Sequence, residues 1–143
     1  MTRINNDYYP TPRECIIPLL EYINFGRVRT FLEPCKGDGR ILDLIPNNIT
    51  KFWAEIDEGV DYLSTPFSNI DLIITNPPFS LSMEFITKSL SEAYTVIYLQ
   101  RLNWLGSQSR KELGLEKGTD ATEYAWFVWD RLNIVKGKHI QVI

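Results

Sequence analysis

"NIDLIITNPPFS", residues 69–80, gathers Ile70, Leu72, Ile73 and Ile74 into one short apolar run and stops it on Asn76, Pro77 and Pro78. A run of this length, bounded by turn residues, reads as a strand buried on both faces, and such strands belong to parallel sheets covered by helices. The two prolines fix two consecutive φ angles and remove two N–H donors, so the strand must end there. Asn-Pro-Pro-Phe is stiffer than a plain turn requires.

The segments on either side repeat the theme. Downstream, "SLSMEFITKSLSEA" sets Leu81, Phe85, Ile86 and Leu90 on one helical stripe, and "YTVIYLQ" continues as a strand. Upstream, residues 28–32 and "TKFWAEID" read as two more strands, with a helix expected from about Gly39 between them. "PRECIIPLLEYI" places Cys15, Ile16, Leu19, Leu20 and Ile23 at near-helical spacing, with Pro12 suited to a first turn and Pro18 interrupting. "TEYAWFVWDRLNIVKGKHIQVI" holds two strand-like runs about a polar link and predicts a closing hairpin. Alternating strands and helices predict an α/β fold with a mainly parallel central sheet, helices on both faces and a C-terminal antiparallel hairpin.

At 143 residues and 44% hydrophobic content the chain suits one domain over residues 1–143. Fifteen Lys and Arg against 18 Asp and Glu give a formal net charge of -3, so a polyanionic partner must be met by a local basic patch. Two cysteines, Cys15 and Cys35, fit reduced thiols in a cytoplasmic protein better than a secretory disulfide framework. No zinc-type cluster of cysteine and histidine occurs, and no apolar run approaches a membrane span, so neither a metal nor a membrane is expected.

Ligands of such sheets bind beyond the carboxyl ends of the strands, where the unusual residues of this chain fall. In "FLEPCKGDG", Gly37 and Gly39 come after a strand and let a ligand approach the backbone. Glu33 at the strand's end repels phosphate and welcomes an ammonium group. "FWAEID" brings Glu55 and Asp57 to the next strand end, where an acid commonly bonds a ribose diol, and Asp61 adds a third carboxylate beside Tyr62. Together they describe a pocket for a cationic nucleoside, and S-adenosylmethionine carries a sulfonium, an ammonium and a ribose diol.

Asn-Pro-Pro-Phe suits a conjugated amino group, whose lone pair is delocalised into an adenine ring. The Asn76 side-chain oxygen and the Pro77 carbonyl supply two fixed acceptors for the two amino hydrogens, which localises that lone pair. Pro77 and Pro78 hold the acceptors in place, and Phe79 offers a ring to stack on the base. A base inside a duplex must flip out to reach them.

With these motifs the chain resembles the S-adenosylmethionine-dependent DNA N6-adenine methyltransferases, particularly small phage-borne ones linked to restriction and modification. The likeness runs over nearly the full length. It implies a Rossmann-like class I methyltransferase fold. "DYYPTP" is similar to the family's N-terminal cofactor motif, implying that Tyr9, Pro10 and Thr11 lie near the methionine carboxylate. "EPCKGDG" resembles the cofactor loop, implying contacts from Glu33, Pro34, Cys35, Lys36, Gly37 and Gly39. Glu55 with Ile56 corresponds to the ribose-binding position, and Asp61 with Tyr62 to the adenine-binding pair. "NPPF" matches the catalytic signature (D/N/S)PP(Y/F), implying catalytic roles for Asn76, Pro77, Pro78 and Phe79, with Asn76 also beside the cofactor.

The resemblance implies a DNA substrate. Most such enzymes carry a separate target-recognition domain, whereas 64 residues remain after "NPPF" here, so sequence readout is expected to be minimal. "RLNWLGSQSRK" is the expected substrate contact, with Arg101, Arg110 and Lys111 for phosphates and Asn103 or Trp104 for the target base. The same tetrapeptide also suits a glutamine side chain or RNA, and a cofactor- or DNA-binding module without turnover is a further alternative. A homo-oligomer that shares the substrate is left open, since no dimer face is marked.

Overall fold

The computed structural model describes residues 10–101 and 124–137. Helix α1 spans Arg13–Glu21, strand β1 Thr30–Glu33, β2 Thr50–Trp53, β3 Ile70–Thr75, helix α2 Ser82–Glu92, β4 Ala93–Arg101 and β5 Tyr124–Asp130. The strands form one sheet in the order β2-β1-β3-β4-β5. All neighbours are parallel except β4 and β5, which pair antiparallel from Thr95↔Asp130 to Arg101↔Tyr124. This is the expected Rossmann-like, mainly parallel α/β sheet with an antiparallel pair at its C-terminal side.

Strand alternation divides the core into two layers. Leu72 and Ile74 of β3 and Ile97 and Leu99 of β4 face α1, where Ile16 and Leu19 meet them together with Phe31 and Trp126. Ile73, Val96 and Tyr98 face the other way, onto Phe85 and Ile86 of α2. Helices therefore cover both faces, which is why β3 and the centre of β4 read as unbroken apolar runs. Among the described residues no helix is long and apolar enough to cross a membrane, and both cysteines are unbridged.

Two expectations need correction. The helix expected from about Gly39 is reduced to a single 3-10 turn, Leu42–Leu44. Gly39 sits at φ +89°, outside the helical region, and Ile45 before Pro46 is extended at ψ 137°. Those two boundaries leave too few residues to propagate a helix. Pro18, expected to interrupt the first helix, lies inside α1, with Pro12 as the residue before its first turn. Of the closing hairpin's two runs, the first contains β5, which pairs with β4, and its end bridges Val135 to Ile23; the second, residues 139–143, follows the polar link. Residues 138–143 lie outside the described residues.

Candidate active site

β1 is flanked by β2 on one side and β3 on the other, so the chain leaves β1 in one direction and returns on the opposite side. The crevice between the carboxyl ends of β1 and β3 is the switch point at which such sheets take ligands. Glu33 ends β1 and Thr75 ends β3, with Asn76 next.

Glu33 is 1% exposed, and its Oε2 accepts a 2.6 Å hydrogen bond from Thr75 Oγ1. Burial pushes its carboxyl up to about 8; the Thr75 bond opposes this, the Glu55 carboxylate reinforces it, Lys36 opposes and Asp38 reinforces. Near neutral pH the group therefore holds its proton, and a cation placed beside it would favour ionisation.

The loop after β1 is stitched to the chain beyond β2. Ala54 N–H donates to the Glu33 carbonyl, and Lys36 N–H to the Ala54 carbonyl. Glu55, 3% exposed, accepts from Gly37 N–H at 2.8 Å and Asp57 N–H at 3.0 Å. Gly37 and Gly39 take φ of +56° and +89°, a conformation that an L side chain adopts only with strain. Lys36 turns outward to Glu58 at 2.7 Å and lies over the Trp53 ring. Cys35 is half-buried, with its carbonyl 3.5 Å from Thr75 Oγ1.

Thr11 arrives from the N-terminal side. It is buried, and its Oγ1 accepts a 3.1 Å hydrogen bond from Asn76 Nδ2. That bond pins one edge of the Asn76 amide and turns the carbonyl edge the other way. Arg40 reaches the Thr11 carbonyl at 3.5 Å while bonding Asp38. Thus "PTP", "EPCKGDG" and "NPPF", far apart in sequence, converge on one crevice. Pro10 is exposed at its edge, and Pro34, Pro77 and Pro78 are buried around it.

Phe79 opens the 3-10 turn Phe79–Leu81 that leads into α2. Its ring lies 5.8 Å from Tyr124 with a 33° tilt, and the Arg101 guanidinium stands 4.9 Å from its centroid. Arg101 and Tyr124 are themselves partners across β4 and β5. Of the expected substrate contacts, Arg101 thus lies beside the tetrapeptide; Asn103, Trp104, Arg110 and Lys111, like Tyr9, lie outside the described residues.

The acid and aromatic expected to hold an adenine are arranged differently. Asp61 caps the turn Tyr62–Ser64 by accepting from Leu63 N–H at 3.1 Å. Tyr62 is 2% exposed and belongs to the core: its ring packs on Phe67 and Phe85, and its hydroxyl donates to Glu92 at 2.7 Å. Burial, with Glu92 nearby, raises its phenol far above the usual range. An amphipathic ring at a capped turn finds more apolar contact beneath the turn than outside it, so Tyr62 is a packing residue rather than a lining one. Ile56 is half-buried in the turn just after Glu55.

Two residues of the site escaped the sequence. Thr75 and Gln100 are polar residues at the ends of apolar strands, and each is buried. Their signal was that position: a polar side chain closing a strand buried on both faces has little but the site to turn to.

No protein-family model matches the chain, and no curated protein matches it. Among solved structures, the Haemonchus contortus Phospholethanolamine N-methyltransferase 2, in complex with phosphomonomethylethanolamine and S-adenosylhomocysteine, matches at 18% identity and a TM-score of 0.48. The match covers 79% of this chain and 30% of that one. The present chain thus spans under a third of its length.

Proposed function

We propose that the chain is an S-adenosylmethionine-dependent methyltransferase acting on the exocyclic N6 of adenine in DNA. The observation that supports this most is the hydrogen bond from Asn76 to Thr11, one strand away from the buried carboxyl of Glu33. It joins the tetrapeptide suited to an amino group to the pocket suited to a cation. The residues fit the cofactor: Glu33 is a neutral buried acid that an ammonium would ionise, and two left-handed glycines line the loop beside it. S-adenosylmethionine, when bound, supplies a methyl group activated by its sulfonium.

The chain's own part is positioning. Glu33 would receive the ammonium, Glu55, whose oxygens already hold Gly37 and Asp57 N–H, would meet the ribose diol with its remaining lone pairs, and Gly37 and Gly39 would let the nucleoside lie against the backbone. Asn76 Oδ1 and the Pro77 carbonyl accept the two amino hydrogens and draw the N6 lone pair out of conjugation. Were the methyl carbon to pass from sulfur to N6, with the C–S bonding pair left on sulfur, the surplus N6 proton would go to water, and no side chain with a shifted pKa is needed to take it. Arg101, beside Phe79, offers a charge to the nucleic-acid backbone.

Mass spectrometry of nucleosides from DNA incubated with the protein and cofactor tests this. N6-methyladenosine as its deoxynucleoside is the expected product, and Asn76→Ala abolishes it while retaining cofactor binding. Methylated RNA or glutamine with unmodified DNA would replace the substrate named here, and cofactor binding with no transfer would make the chain a binding module.

A further inference from the structure

Gln100 closes β4 one residue before Arg101, and it is 1% exposed. Its Oε1 lies 3.1 Å from Ser82 Oγ, which also lies 3.0 Å from the Phe79 carbonyl and shares its single proton between the two. The Gln100 amide is thus one hydroxyl away from the backbone of the tetrapeptide. Its Nε2, buried like the rest of the side chain, has no hydrogen-bond partner among the described residues. The last rung of the parallel pair is Thr75↔Tyr98, and two residues further come Pro77, just past the end of β3, and Gln100 on β4.

A buried donor without an acceptor is costly enough that it is rarely kept without a reason. Resting on the function proposed above, the target edge of adenine supplies one. The two amino hydrogens are taken by Asn76 and Pro77, and the ring nitrogens on either side of the amino group, N1 and N7, are both acceptors. What the edge still lacks is a donor.

We propose that Gln100 is a specificity-determining residue that donates Nε2–H to a ring nitrogen of the target base beside its amino group. Where the acceptor is N1, the same donor opposes a guanine edge, whose N1 carries a hydrogen; at N7 adenine and guanine both accept. Ser82 holds the amide by its oxygen, which leaves the N–H side for the incoming base. A site of this kind accepts a local penalty in the ligand-free chain for discrimination in the complex.

The test compares wild type and Gln100→Met, a substitution of similar length without the donor. The substrates are single-stranded DNA containing adenine, and the same DNA with every adenine replaced by 7-deazaadenine or by 1-deazaadenine. Wild type is expected to lose about tenfold in kcat/KM on one deaza substrate, the scale of a single hydrogen bond to a buried partner. Gln100→Met is expected to treat that substrate and adenine alike and to melt no lower than wild type, because it removes an unsatisfied donor. Indifference of wild type to both deaza substrates overturns the proposal. So does discrimination that survives in Gln100→Met, or a lower melting temperature with an equal loss of rate on all three substrates, which marks a merely structural residue. Absence of transfer from wild type to adenine DNA overturns the underlying function instead, and this role with it.

Discussion

Thr75 Oγ1 donates to Glu33 Oε2 at 2.6 Å, joining the ends of β3 and β1 across the crevice with both residues buried. A carboxyl there holds its proton up to about pH 8, chiefly because burial penalises its charged form. The folded chain thus keeps a proton that the unfolded chain has lost between about pH 4.5 and 8. Glu33's contribution to stability is largest below that window, declines through it, and is gone above it. Glu33→Gln removes the titration and still accepts from Thr75. Urea unfolding across pH 5–8 is expected to show wild type losing up to about 1.4 kcal/mol per pH unit relative to the variant. Parallel curves for the two proteins would refute the buried, protonated carboxyl.

Ligand binding reports the same proton. If an ammonium settles beside Glu33, the carboxyl ionises, so calorimetry near pH 7 should record close to one proton released in buffers of differing ionisation enthalpy. Affinity for S-adenosylmethionine then rises with pH by at most about tenfold per unit, levelling near pH 8. In Glu33→Gln the profile is expected to be flat and the binding weaker. Heats that do not depend on the buffer count against this pairing.

Thr11→Val keeps the shape of the side chain and deletes the acceptor for Asn76 Nδ2. The amide then loses one of its anchors, and methyl transfer is expected to slow by about tenfold, the scale of one lost positioning bond. Cofactor affinity should change much less than kcat. A variant with wild-type kcat would show that Asn76 is held by other means.

Gly39→Ala imposes a side chain at φ +89°, where the new Cβ would stand 3.4 Å from Asp43 Oδ1. That contact is tolerable, so the cost is mainly conformational, roughly 1–2 kcal/mol. Chemical denaturation is expected to show this loss with an unchanged m-value. An equally stable variant would mean that the loop relaxes out of the left-handed region.

Much of this architecture is legible in the sequence. β3 and β4 stand out because both faces are covered, and α2 because Phe85, Ile86 and Leu90 share one stripe. The turn at Leu42–Leu44 is not legible, since Ile41, Leu42, Leu44 and Ile45 have helical spacing and only their confinement between Gly39 and Pro46 prevents a helix. The crevice is legible in part. Glu33, Glu55 and Asn76 stand at strand ends, where pattern reading looks. Tyr62 was misplaced because adjacency to Asp61 says nothing about which way a ring packs, and Gln100 was missed because hydropathy does not separate a buried amide from a solvated one.

α1 is fastened by the chain's late segments. Trp126 Nε1–H donates to the Cys15 carbonyl at 3.1 Å, and Asn24 N–H and Lys136 N–H donate to the carbonyls of Ile134 and Tyr22 respectively. On the ribosome these partners emerge last. A nascent chain that has produced β1 to β4 already offers α1 the apolar face of Leu72, Ile74, Ile97 and Leu99, but it lacks Trp126 and these three hydrogen bonds. The last fastening of α1, and with it of the segment that carries Thr11, is thereby completed only when synthesis has passed Lys136.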